Sequence, residues 1–162
     1  MVPVSTAEIK RVSALAQVIW PASFKDILSP GQIEYMMEMM YSEKSLKQQA
    51  GKKGHEFWIL EINGSPSGYL ALEHHRDASA RSKVHKIYLT HDSQGTGAGR
   101  FMMDFASAEA KKNGSQTLYL NVNRYNKAVK FYEHYGFKIL KVEDIDIGNG
   151  YLMEDYVMEK QL

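Results

Sequence analysis

The chain has 162 residues, a formal net charge of +1 and no cysteine, and 44% of it is hydrophobic. That length supports one domain with a single core. The near-neutral charge gives no basis for nucleic-acid or anionic-membrane binding, and the lack of thiols removes disulfides, thiolate nucleophiles and zinc–thiolate sites. No apolar run approaches the roughly 20 residues that span a bilayer. Met1–Ser5 also lacks the basic-then-apolar layout of a signal peptide, so a cytoplasmic, non-membrane protein is expected. No repeat or long linker divides the chain, which reads as one domain over 1–162.

Apolar residues at helical spacing (Ile9, Val12, Leu15, Ala16, Ile19) predict a helix over 5–20 that stops at Pro21. Ser29-Pro30, a cap residue followed by proline, predicts the start of a second helix through Ile33, Met36, Met37 and Met40. A further helical segment ends at Gly51. Met36, Met37 and Met40 read as core, with Met39 or Tyr41 as the exposed pair; the alternative is that some of these adaptable side chains line a binding surface. The period then changes. Glu56–Ile62 and Gly68–His74 predict strands around the hairpin signal Asn63-Gly64, and Val84–Thr90 predicts another.

Next comes Gln94-Gly95-Thr96-Gly97-Ala98-Gly99, followed by a helix near Arg100. Three alternating glycines let the backbone bend and offer consecutive N–H groups to a phosphate, with a helix N-terminus behind them. A dinucleotide fingerprint would place its third glycine one position later and follow with an acidic residue; here the next strand ends in Asn121 and Asn123. A Walker loop would need Gly-Lys-Ser/Thr, where this chain has Gly99-Arg100-Phe101. By itself the loop is also compatible with a plain strand-to-helix turn.

The helix after the loop places Phe101, Met102, Phe105 and Ala108 inward and ends at Lys111-Lys112-Asn113-Gly114. Leu118, Leu120 and Val122 alternate as a buried strand face. Asn123 reads as the cap of a helix with Ala128, Phe131, Tyr132 and Tyr135 on one stripe, closed by Gly136. Strands over about 137–145 and 151–159 flank Gly148-Asn149-Gly150. The order predicts a mixed α/β sheet with helices on both faces.

The glycine segment matches Q/R-x-x-G-x-G/A, and Asn126, Ala128, Phe131, Tyr132, Gly136 and Phe137 match N-x-A-x-x-F-Y-x-x-x-G-F. In these two ordered motifs, over roughly residues 55–160, the chain resembles the GCN5-related N-acetyltransferase (GNAT) family. The resemblance implies a twisted mixed sheet with acyl-CoA in the cleft between splayed strands four and five. It implies that acetyl-CoA is the co-substrate. No metal is expected. Gln94, Gly95, Thr96, Gly97, Ala98 and Gly99 would then hold the pyrophosphate, with Arg100 beside them or in solvent. The main chain of Ile87, Tyr88 and Leu89 would pair with pantetheine, and the Leu89 N–H would face the oxyanion. Tyr132 would be the general acid and Asn126 a cofactor contact. A phenol with pKa near 10 can protonate a thiolate of similar basicity; as residues alone, Tyr132 and Asn126 are equally a packing group and a first-turn polar residue.

No motif assigns the general base. Glu73, in phase with Tyr69 and Ala71, is the candidate carried forward, and His74, His75, His85, Glu154 and Asp155 remain alternatives. His74 and His75 are poor metal ligands as a pair, because strand neighbours point to opposite faces. For the acceptor, Glu143, Asp144, Asp146, Glu154, Asp155 and Glu159 form a segment without lysine or arginine among them, which favours a polycation. Ile147–Tyr151 through Val157-Met158 also resembles the C-terminal strands of bacterial polyamine acetyltransferases. The leading expectation is transfer to a primary amine of a small molecule such as a polyamine. The alternatives are a protein or peptide N-acetyltransferase and a non-catalytic acyl-CoA sensor. Many members of the family dimerise, which leaves a homodimer open, although no segment marks an interface.

Overall fold

The computed structural model describes residues 1–75 and 79–162. Seven strands form one sheet in the order β1-β2-β3-β4-β5-β7-β6. They are β1 Val2–Val4, β2 Glu56–Ile62, β3 Ser65–His75, β4 Arg81–Leu89, β5 Thr117–Asn123, β6 Lys138–Gly148 and β7 Tyr151–Gln161. The helices are α1 Lys10–Phe24, α2 Pro30–Tyr41, α3 Glu43–Gly51, α4 Ala98–Lys112 and α5 Ala128–Tyr135. The chain divides into two compact units, Met1–Glu73 with His85–Ala106 and His74–Val84 with Ser107–Leu162. Both β4 and α4 are therefore split between the units.

In the first unit, Asn63 (φ 51°) and Gly64 (φ 78°) make the left-handed turn that joins β2 to β3 antiparallel, with Phe57 opposite Ala71 and Ile59 opposite Tyr69. Phe57 and Trp58 are neighbours on a strand and point to opposite faces. On one face, a chain of rings runs from Phe24 through Trp20 and Tyr41 to Tyr69 and Tyr88, with centroids 4.2–5.9 Å apart, tying α1 and α2 to the sheet. On the other face, Trp58 meets Phe105 of α4 edge-on at 5.5 Å. Helices on both faces follow, as the sequence predicts.

Three local expectations change. Pro21 lies inside α1 instead of ending it. The lost hydrogen bond and ring clash cost about 3 kcal/mol, which burial of Trp20 and Phe24 across the proline offsets at about 1.5–3 kcal/mol for each side chain. Tyr41 is buried at the centre of the ring chain, whereas Met39 is exposed and Met36 and Met37 are core as expected. On α4 the core face is Met102, Met103, Ala106 and Ala110, with Phe105 flanking; Phe101 is half-exposed and Ala108 exposed. The i, i+4 row from Met102 carries the packing, rotated from the stripe expected from the phenylalanines. β1 carried no sequence signal and joins the sheet by pairing Val2–Val4 with Phe57–Ile59.

In the second unit, Leu118, Leu120 and Val122 are buried in alternation. β5 pairs antiparallel with β7 from Thr117–Gln161 to Asn123–Asp155, and β6 pairs with β7 around a left-handed turn at Asn149 (φ 55°). The α5 helix begins later than expected. Asn123 Oδ1 accepts the Tyr125 N–H and Asn126 Oδ1 accepts the Ala128 N–H, so two successive side-chain turns precede the helix. Of its expected stripe only Tyr132 is buried.

Candidate active site

The phosphate-cradle candidate lies wholly in the first unit. Thr90 N–H donates to the Ser67 carbonyl at 2.8 Å, which anchors the end of β4 on β3. A single 3-10 turn, His91–Ser93, leads into the glycines, and Thr96 Oγ1 donates back to the Ser93 carbonyl at 2.8 Å. Gly95 (φ 75°) and Gly97 (φ 91°) occupy the left-handed region, and a Cβ on either would meet nothing within 4 Å. The turn is therefore open on its outer side, where a ligand could approach the backbone. The Phe101 N–H donates to the Gly97 carbonyl at 3.0 Å, so the N-terminus of α4, the positive end of its dipole, follows directly behind the glycines. Gln94 and Arg100 are exposed, while the Thr96 hydroxyl braces the turn.

Ile87, Tyr88 and Leu89 form the end of β4. The parallel register of β4 on β5 runs from Arg81–Thr117 to Val84–Leu120, and these three residues lie beyond it. Their position is set from beneath by Gly68. A Cβ there would stand 2.5 Å from the Tyr88 carbonyl oxygen and 2.8 Å from Leu89 Cδ2, so only glycine admits this approach of the two strands.

Glu73 belongs to a cluster. Its Oε2 lies 2.7 Å from His85 Nε2 and 3.8 Å from His55 Nε2, and the two imidazoles stack at 3.8 Å with a 22° interplanar angle. His55 is buried, and the other two are partly exposed. Sequence reasoning missed His55. The register that opposes Glu56 to Leu72 also sets residue 55 across from residue 73, but only because it shifts by one between Leu60 and Glu61; counting back from Asn63-Gly64 would have set residue 55 opposite Leu72. His85 turns to Glu73, while Lys86 places its Nζ 4.9 Å above the Tyr41 ring on the same face as Tyr69 and Glu73. Two consecutive residues on one face break strand alternation, a distortion of the β-bulge kind.

The ligating atoms of His55, Glu73 and His85 all lie within 4.8 Å of one another. Nearly parallel stacked imidazoles cannot both direct in-plane lone pairs at one ion about 2.0–2.1 Å away. The arrangement suits a shared proton better than a metal. His74 and His75 diverge as expected: His74 Nδ1 pairs with Ser82 Oγ at 2.6 Å, and His75 Nε2 with Tyr119 Oη at 2.8 Å.

Tyr132 and Asn126 lie in the second unit. Tyr132 is buried, with its ring edge-on to Phe131 and Phe137 at 5.4 and 5.9 Å, and its carbonyl accepts the Phe137 N–H at 2.9 Å. Asn126 uses its side-chain oxygen to open α5, which leaves its amide as the donor half. The acidic segment is internally engaged. Arg124 bridges Asp144 and Glu154, Lys141 pairs with Glu143, and Arg81 lies 3.4 Å from Glu159. Asp146 Oδ1 accepts the Gly148 N–H at 2.8 Å, and burial pushes the Asp155 carboxyl up to about 6.

A mixed sheet whose strand runs into an open glycine turn at a helix N-terminus defines an α/β protein, with a turn of the kind that suits a phosphate. The chain belongs to the acetyltransferase (GNAT) domain family, whose model matches residues 24–160, and it is an acetyl-CoA-dependent N-acetyltransferase. It is 23% identical over 168 residues to an uncharacterized N-acetyltransferase of Lactobacillus delbrueckii subsp. lactis, covering 100% of this chain and 96% of that one. An uncharacterized N-acetyltransferase of Methanocaldococcus jannaschii is 31% identical over 87 residues, a match that spans 51% of this chain and only 38% of that protein. Two solved structures share the fold. The PaiA N-acetyltransferase of Thermoplasma acidophilum in complex with coenzyme A has TM-score 0.78, 22% identity and coverage of 98% and 96%. A GCN5-related N-acetyltransferase of Rhodopseudomonas palustris has TM-score 0.81, 19% identity and coverage of 99% and 93%. Among the described residues, no helix is long and apolar enough to cross a membrane.

Proposed function

We propose that this chain, acting as one domain over 1–162 in the cytoplasm, transfers an acetyl group to a primary amine of a small molecule. The observation that carries the reading is the open turn at Gly95 and Gly97, set between the end of β4 and the start of α4. Bound acetyl-CoA supplies an activated thioester. Gln94 to Arg100 hold its pyrophosphate, chiefly through backbone N–H groups and the helix dipole. The Ile87–Leu89 main chain holds pantetheine, with Asn126 as a further contact, and the Leu89 N–H faces the developing oxyanion. One preorganised donor of this kind is worth about 2.7–4 kcal/mol.

Glu73, hydrogen-bonded to His85, takes the proton of the attacking amine, directly or through water. Tyr132 gives its phenolic proton to the departing sulfur and recovers one from solvent. His55 positions His85 by stacking.

A polyamine remains within the proposed acceptor class, but the acidic segment lends it little electrostatic support. Its charges are engaged by Arg124, Lys141 and Arg81, and a polycation would have to displace those groups. The deciding experiment measures initial CoA release with spermidine, spermine, amino acids, aminoglycosides and short peptides. Turnover on small amines supports the proposal, turnover on peptides alone replaces the acceptor class, and CoA binding without turnover replaces the enzyme by a sensor.

A further inference from the structure

Within the first unit, the two stretches of main chain proposed to hold the co-substrate are separated only by Thr90 to Gln94. Ile87–Leu89 precedes that segment and the glycine turn follows it. The turn is intrinsically loose. Gly95 and Gly97 stand in the left-handed region with nothing within 4 Å of a Cβ, and glycine loses more conformational freedom on ordering than any other residue. A restraint outside the glycines must therefore hold the turn at a fixed distance from the end of β4.

That restraint converges on Ser93. It is 7% exposed, although His91 and Asp92 before it and Gln94 after it are exposed. All three of its polar groups are engaged. Its N–H donates to the Thr90 carbonyl at 3.0 Å, its hydroxyl is hydrogen-bonded to the Thr90 hydroxyl at 2.9 Å, and its carbonyl accepts the Thr96 hydroxyl at 2.8 Å. Thr90 in turn donates its N–H to the Ser67 carbonyl of β3 at 2.8 Å. A chain of hydrogen bonds thus runs from β3 through Thr90 and Ser93 to Thr96, which stands between the two glycines. The 3-10 turn itself is closed by backbone bonds, Ser93 to Thr90 and Gln94 to His91. The hydroxyl pair is an added link between the end of β4 and the residue that braces the glycines.

We infer, on the proposed placement of CoA, that Ser93 is a positioning residue: its hydroxyl, locked to Thr90, sets the spacing between the pantetheine and pyrophosphate stretches. Two weak contacts joined in one ligand reinforce each other only when the protein holds both sites at the separation the ligand spans. Ser93→Ala keeps the backbone of the turn and the Thr96 brace and removes only the link. Each half-site then survives while their cooperation is lost.

The test is calorimetry of CoA, with NMR titration of the two halves of that ligand, ADP and pantetheine, and thermal melts to confirm folding. Ser93→Ala and Thr90→Val, which keeps the shape of threonine without its hydroxyl, are each expected to weaken CoA about three- to tenfold, the share of one neutral hydrogen bond. ADP and pantetheine are expected to bind both variants as they bind wild type. Thr90→Ser keeps the hydroxyl and wild-type affinity, and the double variant is no weaker than either single one because both remove the same bond. Unchanged CoA affinity in both single variants overturns the inference. So does an equal loss for ADP, which would make Ser93 a support of the turn alone. Gly97→Ala is the reference. If it too binds CoA as wild type does, the glycine turn is not the cradle, and the placement of CoA falls together with the role of Ser93. CoA binding lost in Gly97→Ala but kept in Ser93→Ala and Thr90→Val refutes only the role of Ser93.

Discussion

Gly68→Ala is the sharpest probe of how the fold places the reacting backbone. The new methyl would stand 2.5 Å from the Tyr88 carbonyl oxygen and 2.8 Å from Leu89 Cδ2, about 1 Å inside ordinary van der Waals contact. β3 cannot yield easily, because Tyr69 and Leu70 are fully buried and the neighbouring Ser67 carbonyl holds Thr90 N–H at 2.8 Å. The displacement therefore falls on Tyr88 and Leu89. Overpacking of this kind costs about 1–3 kcal/mol of stability. A shift of about 1 Å in an aligned catalytic group costs roughly 100-fold in rate, within the 2.7–4 kcal/mol assigned to one oxyanion donor. The assay is kcat from CoA release at saturating substrates, beside a thermal melt. Gly51→Ala in α3, where a Cβ meets nothing within 4 Å, is the control and leaves kcat unchanged. Gly68→Ala that melts lower but keeps wild-type kcat would refute the role of the Leu89 N–H.

Tyr132→Phe is expected to lower kcat by about 10²–10⁴ with little change in KM for acetyl-CoA, since it removes only the acidic proton; an unchanged kcat removes Tyr132 as the acid. Glu73→Gln keeps the shape of the carboxyl but not its basicity. It should cost roughly 100-fold or more in kcat, with Glu73→Asp recovering part, and equal melts for all three proteins exclude a folding effect. Gly97→Ala forces a side chain into a left-handed backbone at φ 91° and should weaken CoA binding in calorimetry while costing about 1–2 kcal/mol of stability. Asp155 has a folded pKa of about 6 against an ordinary 3.8, so the folded state binds its proton more tightly. The stability this gives is present below 3.8 and lost as pH rises to about 6. Asp155→Asn should therefore stabilise the protein above that window by on the order of 1–2 kcal/mol and have little effect below it; a gain that grows toward acid would refute the assignment.

The sequence made most of the scaffold legible because its punctuation is strong. Ser29-Pro30, Asn63-Gly64, Gly114, Gly136 and Asn149 each stand at the helix start, turn or helix end expected of them. Where tertiary packing decides, local reading fails. Pro21 continues a helix because Trp20 and Phe24 bury across it, Tyr41 goes inward to complete a ring chain, and β1 exists only through its pairing with β2. The segment Gln94–Gly99 was legible as a sharp glycine turn because that requirement is local and falls on backbone conformation. The Glu73 cluster was only half legible. Strand parity singles out Glu73, but His85 reaches it because β4 departs from parity, and His55 reaches it through hairpin register.

The acidic segment shows the same limit from the side of charge. Read along the chain, six acids between Val142 and Glu159 look like a rim built for a polycation. In the sheet, cross-strand neighbours decide their state. Arg124 reaches Asp144 on β6 and Glu154 on β7, Arg81 of β4 reaches Glu159, and Lys141 stands two residues from Glu143 on the same face. Asp146 caps its own turn, and Asp155 is buried deeply enough to titrate near 6. The field such a segment projects is set by what remains after these pairings, and ionic strength weakens that remainder further. In the proposed reading, acceptor choice rests on contacts near Glu73 and His85, which are partly exposed on the same strands that carry Gly68 and Leu89.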